Sequence, residues 1–409
     1  MRILHIIAGD LNGGAGKGAY ILHQALVASG VKSKVFTNSK VAIEDKSITT
    51  ILISEKAKLL NMLRARLDRL PSLFYKDRGN VLSGGFFGFD FTQTKEYRDA
   101  DIIHLHWINS AFVDIKDLRK IDKPIVWTMR DMWPMTGGCH YAMECENYQY
   151  GCGKCQLLKS NIENDLSRII LKRKKKYLPK TIKMIGISHW ISDLARNSTL
   201  FKNYDIRTIS NNININDFFP LKKSVAREIL GIMTNKKIIL CGATQPKDYY
   251  KGFNKFIQAI NILNKEDYYL CFFGKLDENL VSSLGFEYKN FGFLYDVVSL
   301  RLLYSSADVF VAPSIMDAFG KTIAESMACK TPVVCFNATG PKDIVSHKID
   351  GYSAVAFDVE DLANGIEWIL NNNQYDMLCH NAREKIIKEF DSSIIAKKYI
   401  QLYEEILNV

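Results

Sequence analysis

Ala312-Pro313-Ser314-Ile315-Met316-Asp317-Ala318-Phe319-Gly320-Lys321-Thr322-Ile323-Ala324-Glu325-Ser326-Met327-Ala328-Cys329-Lys330-Thr331-Pro332-Val333-Val334 is the stretch whose reading decides the fold. An apolar run, Asp308 to Val311, leads into it and reads as a buried strand. A loop, a glycine, a helical segment and a second strand from Pro332 to Phe336 follow. Strand, loop, helix, strand is the repeating unit of a doubly wound sheet, where ligands bind at the carboxyl edge. Asp317 lies in the loop above the first strand, and Glu325 eight residues on, in the helix behind it. Two carboxylates that only accept hydrogen bonds suit the hydroxyls of a sugar or ribose. Gly320 lets N–H groups at the helix start approach an anion.

The order Pro-Ser, acid, Phe-Gly, Glu, Met-Ala, Thr-Pro-Val-Val resembles the retaining glycosyltransferases of family four. Their signature is a pair of acids with seven residues between them. Their GT-B fold is α/β, with two Rossmann-like domains facing a cleft. Two departures stand out: Asp317 replaces the family's usual Glu, and Lys330 a usual Gly. The resemblance implies a nucleotide-sugar donor, UDP- or GDP-linked, on the C-terminal domain. Glu325 would hold its ribose and Asp317 its sugar, with Phe319, Gly320 and Lys321 beside it. The leaving diphosphate would take the acceptor's proton, so no protein nucleophile is required. No catalytic-metal motif is evident, which leaves the chain's own cations to meet the developing charge.

The chain has 409 residues, 47% of them hydrophobic and 24% charged, a composition with ample core for two or three domains. No run of 18 apolar residues exists, so no membrane-spanning helix is expected. Met1 to Ala8 is short and broken by His5, and reads as a first strand rather than a signal peptide. Nine cysteines, an odd number, fit a reducing cytoplasm. A net charge of +10 fits an anionic partner: a nucleotide diphosphate, an anionic lipid or nucleic acid. No RNA- or DNA-binding motif accompanies it, so nucleic acid is not expected.

In the first half, Met1 to Ala8 is read as a strand, Asp10 to Gly18 as a Gly-rich loop, Ala19 to Ser29 as a helix and Val31 to Thr37 as a strand. The loop matches a dinucleotide fingerprint through Gly14, Gly16 and Ala19, but Thr37 and Asn38 stand where its acid belongs. By resemblance the loop faces the donor diphosphate through Gly13, Gly14 and Gly16. Glu55 to Leu70 is amphipathic, with Leu59, Leu63, Leu67 and Leu70 on one face amid Lys and Arg. It reads as a solvated helix packed on its domain, or as one lying on an anionic membrane. Asp101 to Ile108 is a strand with His104 and His106 on one face. The family's His-x-His makes His106 the donor-sugar contact and His104 its neighbour. After the strand Pro124 to Met129, Arg130 stands where related sequences tend to have His.

Cys139, Cys145, Cys152 and Cys155 follow in the pattern C-x5-C-x6-C-x2-C, with Gly151 and Gly153 flanking Cys152. This resembles the Cys-rich insertion of a polysaccharide-biosynthesis (colanic-acid-type) subgroup of the family. The expected ligand is one structural zinc ion, with His140 as a substitute for one thiolate; two disulfides or four free thiols are the alternatives. Ser167 to Lys180, rich in Lys and Arg, reads as a solvated helix face, or as a second contact with anionic lipid.

The polar, Asn-rich segment Ile206 to Pro220 resembles the family's interdomain hinge. The boundaries expected are 1–210 for an acceptor-side domain, with the Cys-rich insertion at 131–160, and 211–390 for the donor domain. Residues 391–409, with a helix from Ser392 to Leu407, would cross back to the first domain. Lys251, before Gly252, matches the family's diphosphate lysine. Ala243 takes the place of its arginine, and Lys247 is either a substitute for that arginine or a solvent lysine. Phe293 would edge the base. The sum is a cytoplasmic glycosyltransferase, peripheral on the inner face of a membrane, with a lipid-linked oligosaccharide acceptor. A nucleotide-sugar epimerase and a non-catalytic sugar- or lipid-binding protein are the rival readings.

Overall fold

The structure is a computed structural model, and it describes residues 1–75, 82–243 and 249–408. The chain forms two compact units. Met1–Asn211 with Ile395–Val409 make the first, and Asn212–Ile394 the second.

The first unit holds a seven-stranded sheet. Its strands are β1 (Arg2–Ile6), β2 (Lys32–Thr37), β3 (Ile48–Thr50), β4 (Ile102–Leu105), β5 (Ile125–Met129), β6 (Lys183–Gly186) and β7 (Ile206–Thr208). They lie in the order β3-β2-β1-β4-β5-β6-β7 and every pair is parallel. The second unit holds β8 (Lys237–Ala243), β9 (Tyr268–Gly274), β10 (Glu287–Asn290), β11 (Val309–Ala312), β12 (Val333–Phe336) and β13 (Gly351–Ala354). Their order is β10-β9-β8-β11-β12-β13, again all parallel.

Parallel strands covered on both faces read as continuous apolar runs. β4 (Ile-Ile-His-Leu), β11 (Val-Phe-Val-Ala) and β12 (Val-Val-Cys-Phe) are buried at every position. Each fully buried aliphatic side chain there contributes about 1.5–3 kcal/mol. Helices start where a side chain satisfies an orphan N–H. Ser188 accepts from Ile191 N at 3.2 Å, and Asp296 from Ser299 N at 2.8 Å. The helix Ser392–Leu407 buries Ile395, Ala396, Tyr399, Leu402 and Tyr403 in the same core as Ile3, Leu26 and Ile102.

Three local expectations change. The first helix runs Gly14–Ala28, beginning inside the Gly-rich stretch rather than after it. Gly16 packs there so closely on the Leu11 backbone that a Cβ would lie 2.8 Å from Leu11 Cα. The basic run 168–176 is not a solvated face throughout: in the helix Leu166–Tyr177, Lys174 is 0% exposed and Arg173 pairs with Asp114. The helix Glu55–Arg69 is amphipathic in the reverse sense to a packed helix. Its less exposed side is Ala57, Asn61, Arg64, Ala65, Leu67 and Asp68, while Leu59, Met62 and Leu63 are 62%, 54% and 49% exposed.

Candidate active site

In the second unit β11 ends at Ala312, and the loop beyond it carries Asp317 to the head of the helix Lys321–Ala328. Asp317 Oδ1 accepts the N–H groups of Phe319 and Gly320 at 3.2 and 3.1 Å. Oδ2 accepts the Lys251 ammonium at 2.9 Å. Burial opposes ionisation of this carboxyl, but Lys251 and the two N–H groups outweigh it, and its pKa falls below the ordinary value. Asp317 therefore takes the Gly320 N–H that the sequence offered to an anion. The next N–H groups of the helix, on Lys321 and Thr322, remain in the first turn, where no intrahelical carbonyl reaches them.

Lys251 reaches Asp317 because two loops nearly touch. Tyr250 O accepts the N–H groups of Ile315 and Met316 at 2.8 and 3.0 Å. Gly252, at φ 67°, passes so near that a Cβ would lie 1.8 Å from Pro313 O. Only glycine fits both the backbone angle and that approach. Lys247 lies outside the described residues.

Glu325 is buried, 3% exposed, on the helix face behind the loop. Its Oε1 pairs with Lys321 Nζ at 2.9 Å, one helical turn back. Its Oε2 accepts the Tyr304 hydroxyl at 3.1 Å. Burial, then the Glu325 carboxylate, push the Tyr304 pKa well above its ordinary value, so this hydroxyl remains a donor. No motif in the sequence marks Tyr304, which lies in the helix Val297–Ser306. Phe319 is buried beside Phe390, with ring centroids 5.7 Å apart, and serves packing. Phe293 is 45% exposed and stacks on Tyr295 at 5.9 Å, a second ring that the sequence did not single out. A cavity of about 980 Å³ opens beside Gly252, lined by Tyr249, Lys255, Lys275 and Asp277 among others; neither Asp317 nor Glu325 lines it.

In the first unit His5, His104 and His106 bring ligand atoms within 4.8 Å of one another, the sole such set among the described residues. Burial, reinforced by Arg130 at all three and by neighbouring His at His5 and His106, lowers the pKa values well below the ordinary one, so the rings are neutral. Both nitrogens of His104 are taken, by Tyr403 at 2.6 Å and Thr128 at 2.8 Å. His106 Nε2 lies 2.8 Å from His5 Nδ1, and its Nδ1 accepts from Arg130 at 3.3 Å. A cation at this distance argues against a metal among the three rings.

Arg130 is the residue the sequence undervalued. It is 7% exposed and also donates to Asn211. Its Nε has no partner, and burial lowers its pKa to about 10. Gly18 makes room for it: a Cβ there would meet the guanidinium at 2.7 Å. Of the loop glycines assigned to the donor, Gly13 and Gly14 face open space, whereas Gly16 is buried against Leu11.

The four loop cysteines all line one small cavity of about 70 Å³. All nine thiols of the chain are free, so neither proposed disulfide is present. His140 is turned away from the thiols. Its Nδ1 meets Asp131 at 2.6 Å and its Nε2 Ser83 at 2.8 Å, which removes it as a fourth ligand.

Two successive parallel α/β units, the second with an acid pair at the head of its ligand-edge helix, define a glycosyltransferase fold of the GT-B kind. The structure superposes on sucrose-phosphate synthase from Thermosynechococcus elongatus with TM-score 0.73 and 20% identity, covering 100% of both chains. The description "Glycosyltransferase Family 4" matches residues 12–217, and "Glycosyl transferases group 1" matches residues 222–389. The chain belongs to glycosyltransferase family 4.

Among its relatives is the N,N'-diacetylbacillosaminyl-diphospho-undecaprenol alpha-1,3-N-acetylgalactosaminyltransferase of Campylobacter jejuni. It is 27% identical over 53% of this chain and 58% of its own length. The putative colanic acid biosynthesis glycosyl transferase WcaC of Escherichia coli is 22% identical over 84% of this chain and 85% of its own. The chain spans about half the length of several curated relatives it matches, between 43% and 58% for four of them.

Proposed function

We propose that the chain is a retaining glycosyltransferase that moves a sugar from a UDP- or GDP-sugar to a lipid-linked saccharide in surface polysaccharide assembly. The observation that carries this reading is the Asp317–Lys251 pair at the head of the Lys321–Ala328 helix. A donor diphosphate laid there meets an ammonium and free first-turn N–H groups, and Asp317 and Glu325 accept from sugar and ribose hydroxyls. In the reaction the bond from the anomeric carbon to the phosphate oxygen breaks, and one to the acceptor oxygen forms on the same face. The acceptor proton passes to the departing diphosphate, whose charge Lys251 stabilises. Relatives named for diphospho-undecaprenol and colanic acid support the lipid-linked acceptor.

The Glu55–Arg69 helix supports a peripheral place on an anionic membrane. Asp68 anchors it by accepting from Phe86 N at 2.6 Å and Phe87 N at 3.2 Å. That polar attachment leaves Leu59, Met62 and Leu63, with Ile53 and Phe74, exposed among Lys56, Lys58, Arg66 and Arg69. An outward apolar stripe rimmed by cations is the pattern of an interfacial helix. The 168–176 run adds less than its composition implies, because Arg168, Arg173 and Lys174 are bound internally. Among the described residues no helix is long and apolar enough to cross a membrane.

A panel of UDP- and GDP-sugars tested by thermal shift and then for turnover decides the reading. A donor at 100 times its dissociation constant stabilises by about 2.7 kcal/mol. Donor conversion without any acceptor would favour an epimerase, and binding without turnover on any lipid-linked acceptor a binding protein.

A further inference from the structure

We propose that Cys139, Cys145, Cys152 and Cys155 hold one structural zinc ion as four thiolates, and that the buried Lys174 ammonium is its counter-charge. The four side chains come from a 17-residue stretch and converge on one cavity of about 70 Å³, too small for a nucleotide or a sugar. The remaining five cysteines are buried in the second unit. Four thiolates make a closed tetrahedral site, with sulfurs about 3.8 Å apart when Zn–S is about 2.3 Å. As the thiols stand, no three lie within 4.8 Å of one another. Closure therefore draws the side chains in across the cavity they already line.

The loop is shaped for this. The backbone N–H groups of Leu157 and Leu158 face the Cys155 sulfur, and that of Gly137 faces the Cys152 sulfur. Burial holds both thiols above their ordinary pKa, and these N–H groups oppose it in part. The turn between Cys152 and Cys155 has positive φ at Cys152, Gly153 and Lys154, and Met143 and Lys159 repeat it on either side. Such conformations cost on the order of 1–3 kcal/mol each at non-glycine residues and persist only where surroundings over-determine them. Apolar burial does little of that here: Ala142, Tyr148 and Leu158 are the buried hydrophobic residues of 139–160. A metal ion supplies the missing order.

Lys174 is the independent observation. It is 0% exposed and donates to the carbonyls of Trp133 and Thr136, the latter at 2.9 Å. Its ammonium lies 3.6 Å from the centroid of the Trp133 ring, and its electrostatic neighbours include Cys139 and Cys152. Among the described residues no carboxylate is within ion-pair distance of it. Burial lowers its pKa to about 7, against the pull of Cys139, Cys152 and Asp131, so an added anionic centre beside it would favour the ammonium. Zinc displacing four thiol protons leaves a centre of charge −2, and Lys174 offsets half of it. The ion then fixes Cys139, whose neighbour His140 holds Asp131, which in turn accepts from Trp107 at 2.9 Å.

The test is metal analysis of the full chain, purified in reductant and without chelator. Near one zinc per chain is expected, released by thiol reagents, with these four cysteines protected from alkylation until release. Cobalt(II) bound in place of zinc should show the absorption of tetrahedral thiolate coordination, a readout that needs no variant. Lys174→Met should hold zinc about 10–100-fold more weakly in chelator competition. A wild-type chain that carries no zinc, takes none up when supplied, and shows the four cysteines bridged or freely alkylated overturns the site. Unchanged zinc affinity in Lys174→Met overturns the counter-charge.

Discussion

The Lys251 ammonium lies 2.9 Å from the Asp317 carboxylate, although 66 positions of sequence separate them. Both groups are partly open to solvent, at 27% and 21% exposure, so the pair is placed to exchange its partner for a ligand. In the proposed reaction an anion arriving at Lys251 would release Asp317 toward hydroxyl donors. Lys251→Ala should therefore lower the transfer rate by about 10²-fold or more while the fold survives. Wild-type turnover in the variant would remove Lys251 from the chemistry.

The same pair sets a pH dependence. The Asp317 pKa is depressed in the folded chain, so its contribution to stability is complete above the unfolded value of about 3.9. It is lost as the pH falls through the lower folded value. Asp317→Asn should flatten that acid limb in urea titrations stepped downward from about pH 5. An acid limb identical to wild type would show that other carboxyls carry it.

Tyr304→Phe removes the donor to Glu325 Oε2 and leaves a buried carboxylate oxygen short of a partner. A loss of about 1–3 kcal/mol in unfolding free energy is expected. Glu325→Gln keeps the size of the side chain and should weaken nucleotide-sugar binding in calorimetric titration. Equal donor affinity in that variant would place the ribose elsewhere.

Leu59→Asp combined with Leu63→Asp should abolish sedimentation with anionic vesicles. Because both side chains face outward, each change should alter stability by no more than about 0.5 kcal/mol. Wild-type binding should weaken in high salt as the basic rim is screened. Equal binding of wild type to neutral vesicles, or of the double variant to anionic ones, would contradict the interfacial helix.

Gly252→Ala drives a methyl group into Pro313 O and strains a positive-φ residue. A cost on the order of 3 kcal/mol follows, with loss of the Lys251 placement. Urea unfolding and donor titration of one preparation measure both effects. A stable variant with normal donor affinity would mean that the two loops can separate.

Much of the scaffold is legible in linear order. Continuous apolar runs at Asp308 to Val311 and Pro332 to Phe336 mark strands buried on both faces, and all thirteen strands pair in parallel. The helix Ser392–Leu407 spans the residues that the family resemblance implied for it. The Gly-rich opening misleads about its helix, since glycine's low propensity gives way to close packing on Leu11.

Local pattern by itself determined the parallel α/β architecture, the family signature and the positions of Asp317, Glu325 and the four loop cysteines. Tertiary structure alone decided which of these groups meet. It set Lys251 on Asp317, Tyr304 on Glu325, Arg130 beside His106, and Lys174 beneath the cysteine loop. It also turned Leu59 and Leu63 of the Glu55–Arg69 helix outward, because Asp68 found backbone N–H partners. The physical reason is that periods of 2 and 3.6 record which residues share a face. Which face turns inward, and which charge is enclosed with it, depends on chain returning from far along the sequence.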